Sequence, residues 1–313
     1  MITFDKIKII SNIENIRDLN MKHFTCNIKD GEVLYYKYQQ EQPYILIIEV
    51  DCQHNELSLE FTGKILLDKY IYLINRETIK DALSEINRLG ICTIDIDKIL
   101  RDSYVAKCDV TKDVISKSHI NDIAIFVKSN LTNYTKWDVT PDKNKGIVIS
   151  NRLKTKRHKK RLSIYDKGNE IRKASNDNFL SHLKNKENLL SYFDNKIRFE
   201  LNITTKAGIR SLLEIPDTKL YSVLNATANP ILSVVDEAVK SKVSTYKYQT
   251  LRDCERASLL KECNYDLEKV EVIVRSISSK NTSIKRLMRP YKDLFKQMQA
   301  STSNQINLKE LVA

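Results

Sequence analysis

The chain has 313 residues, enough to bury a full core, and 52 lysines and arginines against 40 acids give a net charge of +12 and a pI near 9.2. That length excludes a peptide or a disulfide knot, and that charge favours a polyanionic partner, nucleic acid first, over plain solubility. No apolar run reaches the ~18 residues of a membrane span and the first residues lack a signal-peptide core, so a cytoplasmic protein with no membrane association is expected.

Taken in order, Glu32 to Tyr38, Tyr44 to Asp51 and Asn55 to Thr62 alternate like strands between polar turns, which predicts an antiparallel meander. Asn75 is placed to cap a helix through Leu89 that stops at Gly90. A strand over Tyr104 to Thr111 precedes a helix from Ser118 to about Leu131, and strands near Trp137, from Ile147 to Leu153 and from Leu162 to Lys167 follow. A helical stretch to about Tyr192 leads into a strand around Arg198-Phe199-Glu200. Beyond about Pro216 β-branched alternation fades, so the predicted domains are 1–215 and a helical region 216–313. The latter includes helices from Asp266 to Ile277 and through Ile284, Leu287, Met288, Tyr291, Leu294, Phe295 and Met298, with Pro290 as a start or a kink.

Six scattered cysteines without Cys-x-x-Cys spacing read as reduced structural thiols, and five histidines without paired spacing leave any metal to oxygen ligands. The six isolated glycines exclude a Gly-rich phosphate loop.

Side chains alternate faces along a strand. Lys107, Asp109 and Thr111 therefore share a face opposite Cys108 and Val110, as do Ser163, Tyr165 and Lys167, and as do Arg198, Glu200 and Asn202 opposite Phe199 and Leu201. Glu60 likewise opposes Leu59 and Phe61. Glu60, Asp109 and Glu200, if brought together, would hold a hard divalent ion such as Mg2+ or Mn2+, because such ions prefer oxygen. Near such an ion the phenol of Tyr165 could attack a phosphodiester, with Lys167 stabilising the charge that develops. Between Asn151 and Arg161 the chain carries Arg152, Lys154, Lys156, Arg157, His158, Lys159, Lys160 and Arg161 and no acid, a run suited to phosphate contacts or simply to solvation.

The segments Lys107-Cys108-Asp109, Arg157-His158 followed by Tyr165-Asp166-Lys167-Gly168-Asn169-Glu170, and Ile197-Arg198-Phe199-Glu200 resemble, in order and spacing, the gene II/X-type replication initiators of filamentous phages and related plasmids. Ser58-Leu59-Glu60 before Gly63-Lys64-Ile65-Leu66 extends the likeness, which covers roughly residues 30 to 205. The resemblance implies a nuclease core of the α+β class: a twisted antiparallel sheet with helices on one face, the site on the other, and a helical C-terminal region. It implies a rolling-circle initiator that nicks and rejoins one DNA strand, with Tyr165 as nucleophile and Glu60, Asp109 and Glu200 as the acidic positions. Origin DNA would be its partner, gripped by the basic run and Arg198, and a host helicase and polymerase would follow in a bacterial cytoplasm. Lys107 stands where the family often has arginine, and the paired histidines of other rolling-circle nucleases are missing, which leaves Glu170 and His158 as substitute ligands. A plasmid-mobilising relaxase, or a DNA-binding protein without catalysis, are the alternative readings.

Overall fold

The computed structural model describes residues 2–144, 146–152, 159–239, 250–263, 266–278, 283–302 and 306–313. Its strands are β1 (Phe4–Asn12), β2 (Ile16–Leu19), β3 (Thr25–Lys29), β4 (Glu32–Gln40), β5 (Leu46–Asp51), β6 (Glu56–Thr62), β7 (Cys92–Ile94), β8 (Tyr104–Ile115), β9 (Trp137–Pro141), β10 (Ile147–Asn151), β11 (Arg161–Asp166) and β12 (Lys196–Ile203). Ten of them form one antiparallel sheet in the order β3-β4-β5-β6-β1-β8-β12-β11-β10-β9, and β2 and β7 pair separately. The meander expected from the alternation is the β4-β5-β6 portion. What alternation did not disclose is β1, which enters the middle of the sheet between β6 and β8.

Among the described residues the helices are α1 (Ile79–Arg88), α2 (Ile96–Asp102), α3 (Ile120–Ser129), α4 (Lys167–Ile171), α5 (Asp177–Ser181), α6 (Lys186–Tyr192), α7 (Lys206–Leu213), α8 (Leu220–Leu224), α9 (Pro230–Ala238), α10 (Leu251–Glu262), α11 (Leu267–Ile277), α12 (Ile284–Thr302) and α13 (Leu308–Val312). Local chemistry sets several starts. Asp95, Asp166, Thr205, Asn229 and Asp266 each accept a backbone N–H as N-caps of α2, α4, α7, α9 and α11, and Pro230 occupies the first turn of α9, where its missing N–H costs nothing.

One sheet face is apolar. Ile7 and Ile9 of β1, Leu57, Leu59 and Phe61 of β6, Cys108 and Val110 of β8, and Ile197, Phe199 and Leu201 of β12 are buried there beneath α1, α3, α7 and α9. Burying such side chains contributes about 1.5–3 kcal/mol each, which makes this layer the main stabiliser of the fold. The expected layer of helices on one face is thus present. A second, smaller group stands on the opposite, polar face. Tyr70 and Leu73, in and just after the 3₁₀ segment Gly63–Tyr72, join Ile171, Phe179, Leu180, Leu189 and Phe193 from α4, α5, α6 and their flanks in a separate apolar cluster. We call this group the cap.

The expected division at Pro216 does not fall where the core divides. Val223, Ile231, Val234 and Val235 of α8 and α9, with Leu308 and Val312 of α13, belong to the main core. Among the described residues after Pro216, α10, α11 and α12 form a core of their own, around Leu260, Val270, Val274, Met288 and Leu294. The long helix α12 runs through Pro290 without interruption.

Candidate active site

The polar residues of β8, β12 and β11 line up in rows across the sheet. The register places Asp113 beside Arg198 and Arg198 beside Tyr165, then Thr111 beside Glu200 and Glu200 beside Ser163, then Asp109 beside Asn202 and Asn202 beside Arg161. Tyr165, Ser163, Glu200, Asp109, Asn202 and Arg161 of these rows floor a cavity of about 660 Å3, which the cap walls on one side and the loops 41–45 and 142–144 border above.

Tyr165, only 5 % exposed, turns its hydroxyl toward the diagonal neighbour and donates to Glu200 Oε2 at 2.9 Å. Burial, and then the Glu200 charge, hold its phenol well above the usual tyrosine range. Glu200 itself is pushed up to about 7, first by burial and then by the charges of Asp5 and Asp109. Asp109 rises to about 6, again by burial foremost, against the hydrogen bond it accepts from Asn202. Two carboxyls that titrate near neutrality beside a phenol form a group suited to proton transfer or to a hard cation.

Arg198 governs the row beneath. It is 0 % exposed, makes two 2.7 Å contacts with Asp113, and donates at 2.7 Å to Asp5 and at 2.9 Å to the Tyr70 hydroxyl, which in turn donates to Asp5 at 2.8 Å. Arg198 is therefore corrected from a DNA contact to an internal clamp: every face of its guanidinium is taken by protein. Asp5 pays for its burial through this arginine, whose charge, with those of Lys167 and Lys64, holds its carboxyl below the ordinary range.

Lys167 also differs from the strand-based expectation. Asp166 caps α4, so Lys167 begins a helix rather than continuing β11, and it lies 2 % exposed in an ion pair with Glu170 and within 5.3 Å of the Tyr70 ring centre. It still lines the cavity. Glu170 is thereby committed to Lys167 and to the amide of Asn176, and it is held below the usual range despite burial.

Glu60 does not join Asp109 and Glu200. It lies three strands from Glu200, and its cross-strand neighbours Lys8 and Lys107 are offset four residues from Thr111, the partner of Glu200. Strand spacings of roughly 4.8 Å and a rise of about 3.3 Å per residue set the two backbones roughly 19 Å apart, beyond the reach of one ion. Glu60 instead pairs with Lys6 and, at 3.7 Å, with Lys107, whose charges outweigh burial and hold it below the usual range. Among the described residues no three His, Cys, Asp or Glu side chains close on a common ion.

Of the basic run, Lys154, Lys156, Arg157 and His158 lie outside the described residues. Arg152 pairs with Asp138 at 3.3 Å, Lys160 pairs with Glu237 of α9, Lys159 is exposed, and Arg161 reaches the cavity. Sequence reasoning missed Asp5, Asp113 and Tyr70, and named Lys64 only within the stretch that carries the family likeness. It also missed Gly146, where a Cβ would come within 2.0 Å of the Ile164 carbonyl oxygen and 2.7 Å of Tyr165 Cβ, so only glycine lets this turn close on the tyrosine's backbone. A lone acid in the apolar stretch Ile2-Thr3-Phe4-Asp5-Lys6-Ile7 was the available signal for Asp5.

No protein-family model matches the chain, and no curated protein matches it. Among the described residues no helix is long and apolar enough to cross a membrane.

Proposed function

We propose that the protein initiates rolling-circle replication by nicking one DNA strand at an origin and rejoining it through Tyr165. The observation that carries this reading is the hydrogen bond from the Tyr165 hydroxyl to Glu200, in a cavity whose floor is acidic and whose cap wall carries lysines. In the first step the Tyr165 proton passes to the Glu200 carboxylate, Oη bonds to phosphorus, and the P–O3′ bond breaks. The 3′ oxygen takes up a proton and leaves as a free 3′ hydroxyl, able to prime synthesis. Later a 3′ hydroxyl attacks the phosphotyrosine, restores a phosphodiester and returns the proton to Oη. The phosphotyrosine conserves the energy of the broken linkage, so no nucleotide hydrolysis is needed.

Magnesium or manganese fits the donor set in one form. Asp109, raised by burial and by the Asp5 charge, and Glu200, raised by burial and by the charges of Asp5 and Asp109, would hold it, since Mg2+ is commonly bound by one or two carboxylates together with substrate phosphate oxygens. When bound, the ion would polarise the phosphoryl oxygens and favour the phenolate. The net charge of +12 suits origin DNA, and a host helicase and polymerase in a bacterial cytoplasm complete the reading.

The test is incubation with supercoiled DNA bearing the chain's own replicon, with and without magnesium, followed by mass spectrometry of the adduct. A nucleotide on Tyr165 and none with Tyr165→Phe supports the proposal. Binding without cleavage would favour a non-catalytic DNA-binding protein, and transfer of a strand to a recipient rather than copying would favour a relaxase.

A further inference from the structure

We propose that Lys64 and Lys173, on the cap side of the cavity, form a seat for a phosphate group of the substrate strand, facing the carboxylate floor that carries Tyr165. Both lysines line the cavity. Lys64 follows β6 directly. Gly63 eases its position, since a Cβ there would come within 3.2 Å of the Tyr70 ring and press on the cap.

The two ammonium groups contact amide and carbonyl oxygens, and Lys64 Nζ also lies 5.3 Å from the centre of the Phe179 ring. Lys64 Nζ donates to the side-chain oxygen of Asn176, and Lys173 Nζ donates to the side-chain oxygen of Asn144 at 2.7 Å and to the Lys143 carbonyl at 3.4 Å. Amide oxygens satisfy a donor without neutralising its charge. Among the described residues neither lysine has a carboxylate within ion-pair distance, and Glu170, the carboxylate on this wall, is taken by Lys167. The wall thus holds Lys64, Lys167 and Lys173 beside the one carboxylate of Glu170, with the more distant Asp5, itself clamped by Arg198, also acting on Lys64 and Lys167, and each ammonium has three donors to place. Asn176 cannot rotate to spare Lys64, because its amide nitrogen is spent on the Glu170 backbone oxygen at 2.7 Å.

Lys64 pays for this arrangement: burial, and then the neighbouring Lys167, press its pKa below the ordinary lysine range. A phosphate oxygen would relieve that pressure. The floor carries the carboxyls of Asp109 and Glu200, which repel anions when ionised, so a phosphate is held on the lysine side while its phosphorus is presented to the tyrosine. This division of charge orients the group.

The identity of the seated group as part of a DNA strand rests on the proposed strand transfer; the seat itself is tested with inorganic phosphate. The experiment is a titration of the full chain with phosphate, followed by calorimetry, on wild type, Lys64→Met, Lys173→Met and, as a control outside the cavity, Lys80→Gln on the exposed side of α1. Saturable binding by wild type and Lys80→Gln, weakened tenfold or more in both lysine variants, supports the seat. Thermal denaturation accompanies each variant, and if Lys64→Met does not fold, Lys64→Gln and Lys173→Met carry the test. Equal binding by a folded lysine variant, or no saturable binding by wild type, overturns it. A seat confirmed in this way in a protein that never forms a Tyr165 adduct would leave the phosphate site standing and remove the strand-transfer reading.

Discussion

Tyr165 and Glu200 meet diagonally across neighbouring antiparallel strands: the register opposes Glu200 to Ser163, yet the tyrosine hydroxyl reaches its carboxylate at 2.9 Å. Diagonal pairs on one sheet face lie within reach of long aromatic side chains, so two strands alone fix this contact. Glu200→Gln keeps the shape and removes the base. Nicking should fall by about 10²–10⁴-fold, the usual range for a general base. Single-turnover cleavage of an origin oligonucleotide measures it, and a rate within twofold of wild type would exclude Glu200 from the chemistry.

The raised carboxyls also set a pH dependence of stability. The folded state keeps Glu200 protonated up to about 7, above its ordinary 4.5, so it binds more protons than the unfolded chain across that window. Stability should therefore fall as pH rises from about 4.5 to about 7 and then level off, with Asp109 adding the same sign up to about 6. Glu200→Gln should melt higher than wild type at about pH 8, and the advantage should shrink at about pH 4. Magnesium should raise the melting temperature of wild type at the higher pH and affect the variant less.

Gly146 sits against the backbone of the nucleophile's strand. Gly146→Ala should push β10 from β11 at that point and displace the phenol from Glu200. A loss of around tenfold or more in nicking is expected, because small misplacements of reacting groups cost up to about 10²-fold. Far-ultraviolet circular dichroism should stay unchanged, and full activity would show that the turn can yield.

Arg198→Met should act on folding. It strands Asp113 and Asp5 without their cation, and removing one partner of a buried pair costs about 3–5 kcal/mol. Urea denaturation reads this directly. Triple replacement by Met at 198 with Asn at 5 and 113 should recover part of the loss. Restored stability without restored cleavage would agree with a clamp that positions β12 and the site together.

On α12 the exposed residues Lys285, Arg289, Lys292 and Lys296 recur at helical spacing along about 16 Å of one face, opposite Met288, Leu294 and Met298 in the helical core. Replacing all four by glutamine should flatten the slope of log affinity against log salt for duplex DNA by up to ~3.6 units, given ~0.9 per phosphate contact. An unaltered slope would make this face merely solvated.

How much of this could be read beforehand depends on the kind of pattern involved. Strict alternation in β11 and β12 placed Tyr165, Glu200 and Asn202 on a common polar side, because period two admits only one arrangement of faces. The same logic misled for Glu60: alternation gives the side of a sheet and says nothing of how many strands intervene. Strand β1 escaped notice because a register shift between Phe4 and Lys6 and the Ile9-Ile10 pair break its period, and Asp5 sits in that irregularity. The cap escaped because Ile171, Phe179, Leu180 and Leu189 are too sparse to announce which face they cover. The misplaced boundary has a similar origin. Helices α8 and α9 look like the start of a helical region, whereas their apolar residues complete the layer over β8 and β12.

The central position of β1 bears on how the protein comes to be made. Ile7 pairs with Phe61 on one side and with Cys108 on the other, so β1, synthesised before either neighbour, must wait for β6 and then for the still later β8. Contacts so distant in sequence slow folding, and a strand with one bare edge invites wrong pairing. A ribosome paused between β6 and β8 would therefore hold a nascent chain whose apolar face is half built, and the protein's yield in cells should respond to translation speed across residues 63–103 and to the supply of chaperones that shield unfinished sheets.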